Sequence, residues 1–174
     1  MAKPSRRKRV DLREGDVFEM PLSDGRFGYG IIVKPGGLPG GGTPYIAIFR
    51  TAHDKRPELK KIMNDEVALQ GWTTDSLIYH DRWKVIERDA AMPPIQFPNY
   101  KVQRAGRFYV VDVEGEVIGL ITPDELDLLD YQLSSTVGIF QHAFDALHGL
   151  GEWKDYFDQL TPAYVQSHVT RPVH

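Results

Sequence analysis

The sequence predicts an α+β fold: a small, strongly bent antiparallel β-barrel or sheet of about six strands, followed by C-terminal helices packed on it. Three observations point there. Short apolar runs bounded by Gly, Pro and Asp fill the first two thirds of the chain. Two hairpin signals, Ser23-Asp24-Gly25 and Glu114-Gly115-Glu116, sit among those runs. After Ile121 the apolar period lengthens from that of a strand to that of a helix.

The elements follow in order. Val17, Phe18 and Met20 form a short strand ended by Pro21, and Phe27, Tyr29, Ile31, Ile32 and Val33 form its hairpin partner. Gly28 and Gly30 inside that partner mark a bulge or a close backbone approach, the signature of a bent strand. Pro35 to Gly42 reads as a flexible loop, a linker in the first place and a binding loop in the second. Tyr45 to Phe49 is nearly all apolar, as a fully buried strand is. Residues 54–66 are charged and predict a short surface helix after Pro57. Trp72 to His80 and Trp83 to Glu87 read as two further strands around Asp81-Arg82. Met92 to Pro98 is a proline-rich connection. Arg107 to Asp112 and Val117 to Ile121 make the second hairpin.

Helices come next. Thr122-Pro123-Asp124-Glu125 is a helix start, with Thr as the cap, Pro at the first position and acids on the positive end of the dipole. Ser134 or Ser135 is expected to cap a longer helix whose stripe is Val137, Phe140, Phe144 and Leu147, ended by Gly149 and Gly151. Trp153, Tyr156, Phe157 and Leu160 form a second stripe, stopped by Thr161-Pro162. The domain reading is therefore a basic flexible arm over 1–14, a β domain over 15–121, packed helices over 122–162 and a weakly patterned tail over 163–174.

Composition narrows the function. The chain has 174 residues, no cysteine and a net charge of −3. Disulfides, thiolate metal sites and cysteine nucleophiles are excluded, and a cytoplasmic location is the expectation. No run of apolar residues is long enough to cross a membrane, and the basic start is followed by acids rather than by a signal-peptide core. Residues 1–10 hold five basic side chains and no acid, so the remainder carries −8. Residues 121–160 contain eight acids against Lys154 alone. That balance favours a protein partner over nucleic acid, because the folded part repels phosphate.

The sixteen residues from Gly15 to Gly30 (Gly-Asp-Val-Phe-Glu-Met-Pro-Leu-Ser-Asp-Gly-Arg-Phe-Gly-Tyr-Gly) resemble the opening hairpin of the immunity protein 26 family of bacterial polymorphic-toxin systems. Tyr45 to Phe49 and Arg82-Trp83-Lys84-Val85-Ile86, followed by Pro93-Pro94 and Phe97-Pro98, are similar to later segments of that family. The resemblance covers roughly 15–120. It implies a cytosolic protein, without cofactor or catalytic residue, that binds and neutralises a cognate toxin domain. A small organophosphate-hydrolysing phosphotriesterase has been grouped with the same family, so the alternative it implies is a small metal-dependent hydrolase.

Candidate residues divide accordingly. For toxin binding, Asp124, Glu125, Asp127 and Asp130 cluster within one or two turns, and Asp155 and Asp158 lie on the polar side of the stripe containing Trp153. An acidic surface of this kind steers association with a basic cleft. Trp72, Tyr79 and Trp153 are candidate anchors, being large amphipathic rings. For the alternative, His142, Asp145 and His148 recur at a spacing of three, with His53 and His80 as stray ligands. No H-E-x-x-H, G-x-S-x-G or G-x-G-x-x-G pattern is present.

Overall fold

The computed structural model describes residues 11–36 and 42–171. Residues 1–10, with the five basic side chains counted there, and most of the glycine-rich linker lie outside that range. Eight strands and five α-helices are described: β1 (Val17–Pro21), β2 (Phe27–Lys34), β3 (Tyr45–Phe49), α1 (Leu59–Met63), β4 (Val67–Trp72), α2 (Ser76–Tyr79), β5 (Lys84–Glu87), β6 (Tyr100–Arg104), β7 (Arg107–Val111), β8 (Val117–Leu120), α3 (Pro123–Leu128), α4 (Val137–Leu147) and α5 (Pro162–Ser167). A 3-10 helix, Asp155–Leu160, precedes α5.

The class is α+β, but no barrel closes. The first sheet is five-stranded in the order β4-β3-β2-β1-β5, and a second is three-stranded in the order β6-β7-β8. Their strand pairs are antiparallel. β4 and β5 are opposite edges of the large sheet. The edge of β4 is met by the chain after α3, where Ser135 bridges Thr73 and its N–H donates to the carbonyl of Trp72 at 3.0 Å. Covering that edge with a crossing segment replaces the strand pairing that closure requires.

Both faces of the large sheet are covered. Phe18, Met20, Ile32, Ile46, Ile48 and Leu69 pack on one side with Phe140 and Phe144 of α4 and Phe157 and Leu160 of the 3-10 helix. Val17, Tyr29, Ile31, Val33, Tyr45 and Phe49 pack on the other with α1, the proline-rich connection and Val111 and Val113. β3, central and covered twice, is buried at all five residues, as its unbroken apolar run requires.

The opening hairpin is built by close approach. Gly15 has φ +83° and its carbonyl accepts from the N–H of Ala90; a Cβ there would press on the Ala90 backbone. A Cβ on Gly28 would fall on the Phe144 ring, and one on Gly30 on the Phe18 ring. The two glycines therefore let an aromatic from the helix layer and one from the neighbouring strand reach the sheet. Asp16 is fully buried, and its carboxylate takes the N–H of Arg13 at 2.9 Å and the guanidinium of Arg88 at 2.9 Å. Burial nonetheless pushes its carboxyl above the usual range. Trp83 stacks on Phe18 at 5.0 Å, and its indole N–H donates to Gln141 of α4 at 2.8 Å.

Several expectations need correction. Residues 72–80 are not a strand: β4 ends at Trp72, and Ser76–Tyr79 forms a helical turn whose Tyr79 N–H reaches the Asp75 carbonyl. Thr73-Thr74-Asp75-Ser76 is a cap composition, which competes with strand pairing. β4 begins earlier, at Val67, where a short run cannot be classified by period alone. β6 was hidden behind the prolines, its alternation being polar at three of five positions. The cap of α4 is Thr136, not Ser134 or Ser135, and Leu147 is exposed. Thr161-Pro162 ends the 3-10 helix and also starts α5, because the Thr161 hydroxyl accepts the Tyr164 N–H at 3.3 Å. Residues 163–171 are thus an ordered part of the fold rather than a tail.

Candidate partner-binding surface

The acidic segment after β8 is organised by its own caps. Thr122 and Glu125 form a reciprocal capping box: the Glu125 N–H donates to the Thr122 hydroxyl at 3.3 Å, and the Thr122 N–H donates to the Glu125 carboxylate at 2.9 Å. Pro123 occupies the first turn. Asp124 and Asp127 are exposed on this short helix.

The remaining acids are placed differently from one another. Glu125 is clamped by Arg171, whose Nε and Nη2 donate to its two carboxylate oxygens at 2.8 and 2.7 Å. That guanidinium holds the Glu125 carboxyl at about 2. Arg171 Nη2 also donates to the Leu120 carbonyl at 2.7 Å. Asp130 accepts the Tyr164 hydroxyl and lies 3.8 Å from the His168 ring, which stacks on Tyr164. Asp158 accepts the Trp153 indole N–H at 2.8 Å. Asp155 is exposed beside them. Asp124, Asp127, Asp130, Asp155 and Asp158 are all exposed; Asp130 and Asp158, like the half-buried Glu125, also hold the C-terminal layer together.

The clamp depends on a distant residue. Asn99, buried just before β6, accepts from the N–H groups of Thr170 and Arg171 at 2.9 and 2.8 Å, and its own N–H donates to the His168 carbonyl. Asn99 thus anchors the chain end that carries Arg171 across the small sheet.

The aromatic candidates sit mostly in the body. Trp72 is half-buried, edge-on to Tyr45, and neither its indole N–H nor the Tyr45 hydroxyl has a partner among the described residues. Tyr79 is half-buried against His80. Trp153 packs edge-on against Phe157 at the rim of the core.

The alternative ligand set does not converge. His142 is exposed, Asp145 accepts from Gln141 at 3.2 Å, and His148 meets the Arg50 carbonyl at 3.0 Å. Burial pushes the Asp145 carboxyl up and the His148 imidazole down. His53 lies against Tyr29 and His80 is exposed. Among the described residues, no three His, Cys, Asp or Glu side chains are grouped to hold a metal ion.

One feature of the surface escaped the sequence reading. Among the described residues, six of the eight exposed large hydrophobic side chains fall between Val117 and Leu133. That stretch has no Lys or Arg. Periodicity assigns such residues to an inward face, and the local pattern does not say whether another layer covers them.

Comparison with known proteins adds one match. The family model described as Immunity protein 26 matches residues 13–105. No curated protein and no solved structure matches. The matched region runs from the opening hairpin to the end of β6. β7, β8 and the helices from α3 onwards lie beyond it.

Proposed function

The chain belongs to the immunity protein 26 family, and we propose that it binds one cognate toxin domain and neutralises it by covering the toxin's active site or an adjacent exosite. Family membership makes a toxin its class of partner and carries this reading. Of the residues through which the chain resembles the family, Phe18, Met20, Tyr29 and Trp83 are buried and build the scaffold, so the proposed contact surface is placed on other side chains.

The acidic C-terminal layer supplies it. Asp124, Glu125, Asp127, Asp130, Asp155 and Asp158, with Trp153 at their margin, form its charge. An inhibitor that presents fixed acids to a basic cleft gains association rate from the field and specificity from the placement. No bound group is required, since occlusion is a matter of shape and charge.

The test uses the C-terminal domain encoded by the neighbouring upstream gene, taken as the candidate toxin. Replacing Asp124, Asp127 and Asp155 together by Asn leaves the internal hydrogen bonds of the layer intact. The triple variant is expected to associate about tenfold more slowly at low salt, with a flatter dependence of rate on ionic strength. An unchanged rate and salt slope would reject the acidic surface.

A further inference from the structure

We infer that the seam between the large sheet and the C-terminal layer binds a small internal cluster of water, anchored on the hydroxyl of Tyr45 and the indole N–H of Trp72. Among the described residues, three buried side-chain polar atoms lack a hydrogen-bond partner: the Tyr45 hydroxyl, the Trp72 indole N–H and the Thr73 hydroxyl. They are not scattered. Tyr45 and Trp72 are opposite one another in the β3–β4 pairing, and Thr73 is the next residue in the chain. A buried polar group without a partner is costly, so protein interiors satisfy nearly all of theirs with protein atoms or ordered water.

A cavity of about 60 Å³ lies at that corner, and Tyr45 and Trp72 line it. Gln70, Tyr100, Asp130 and Tyr164 are among its other walls, and Thr73 is not. The size decides the class of guest. Cavities that take organic ligands hold about 300–1,000 Å³, whereas one water needs about 10–15 Å³. There is room for a few waters and no more. Polarity agrees, because apolar cavities stay dry and this one is ringed by polar side chains. The Tyr45 hydroxyl both donates and accepts, and the indole N–H donates. Burial first, and then the neighbouring Tyr100, pushes the Tyr45 phenol up, so it keeps its proton as a donor.

The cavity joins two parts of the chain. Tyr45, Gln70, Trp72 and Tyr100 belong to the family-matched region, whereas Asp130 and Tyr164 lie beyond it. Direct bonds already hold the two together nearby, from the Ser135 N–H to the Trp72 carbonyl and from the Tyr164 hydroxyl to Asp130 within the layer. Water completes the junction inside, since a bridging water is nearly as good as a direct hydrogen bond. The fully buried Tyr45 and the exposed Asp130 line the same cavity, which gives water a way in. Trp72 also borders a larger hollow of about 580 Å³ beside Lys34 and Glu114, and Tyr45 does not, so Tyr45 carries the test.

A high-resolution crystal structure of the full chain decides the matter. Ordered water is expected within about 2.7–3.2 Å of the Tyr45 hydroxyl oxygen. Tyr45→Phe removes that hydroxyl and keeps the ring. With the hydroxyl bonded to water, the variant loses a hydrogen bond and is expected to melt about 2–4 °C lower and to bind one water fewer. With the hydroxyl unpartnered, the same substitution removes a costly group and the variant melts higher. A cavity without water density beside Tyr45, or a higher melting temperature for Tyr45→Phe, would overturn the inference. So would a protein atom bonded to the hydroxyl in place of water, or density for an organic molecule, which would make the site a ligand pocket.

Discussion

The guanidinium of Arg171 holds three oxygens at once, the two of the Glu125 carboxylate and the carbonyl of Leu120. Its effect on stability has a definite pH signature. The Glu125 carboxyl is held at about 2 against an ordinary 4.5. A depressed carboxyl stabilises the fold above its unfolded value, and that contribution is lost as the pH falls from about 4.5 towards about 2. Arg171→Ala is expected to melt lower at pH 7 and to lose less on acidification through that window. Thermal unfolding followed by circular dichroism between pH 7 and pH 2 checks this, and parallel curves for the two proteins would contradict it. The clamp could not be read in the sequence, because its partners are 46 residues apart and depend on Asn99, a further 72 residues from Arg171. The aspartates were visible as charge, but not which of them are engaged inside the layer. Gly28 and Gly30 were legible, because a glycine within an apolar strand already implies a close neighbour. Phe144 as that neighbour was not.

At the scale of elements, α4 joins the helix layer to the large sheet. Phe144 fills the space that Gly28 leaves open and is fully buried. Phe144→Ala is expected to cost about 3–5 kcal/mol, as truncation of a fully buried phenylalanine does. Urea unfolding measures it, and a loss below about 1 kcal/mol would mean that α4 is not what covers this face. The opening hairpin, the buried β3, the α4 stripe and the β7–β8 hairpin were all legible, since each is specified by local period and turn chemistry. The elements misread were those whose identity is decided from outside. Thr73 to Ser76 turns into a helix beside a chain crossing, β6 emerges from a proline-rich run, and α5 is ordered by contacts with β4, the 3-10 helix and Asn99. The barrel expectation failed for the same reason, as strand count and bending do not say what lies at the edge of β4.

Across the whole molecule the family-matched region and the proposed contact layer are largely separate. Residues 13–105 supply the five strands of the large sheet, with α4 and the 3-10 helix completing its core, whereas six of the eight exposed large hydrophobics of the described residues lie between Val117 and Leu133. A scaffold of this kind can present different surfaces without altering its interior. Charge divides in the same way, with five bases in residues 1–10 and −8 in the remainder. Removing residues 1–10 is expected to leave neutralisation intact, since the acidic remainder carries the proposed contact. The most direct measurement is survival of cells expressing the C-terminal domain of the neighbouring upstream gene, the candidate toxin, with and without this chain. Killing by the toxin domain alone and survival in the presence of the chain is the predicted result. Equal killing with and without the chain, at matched expression of a folded protein, would contradict the account.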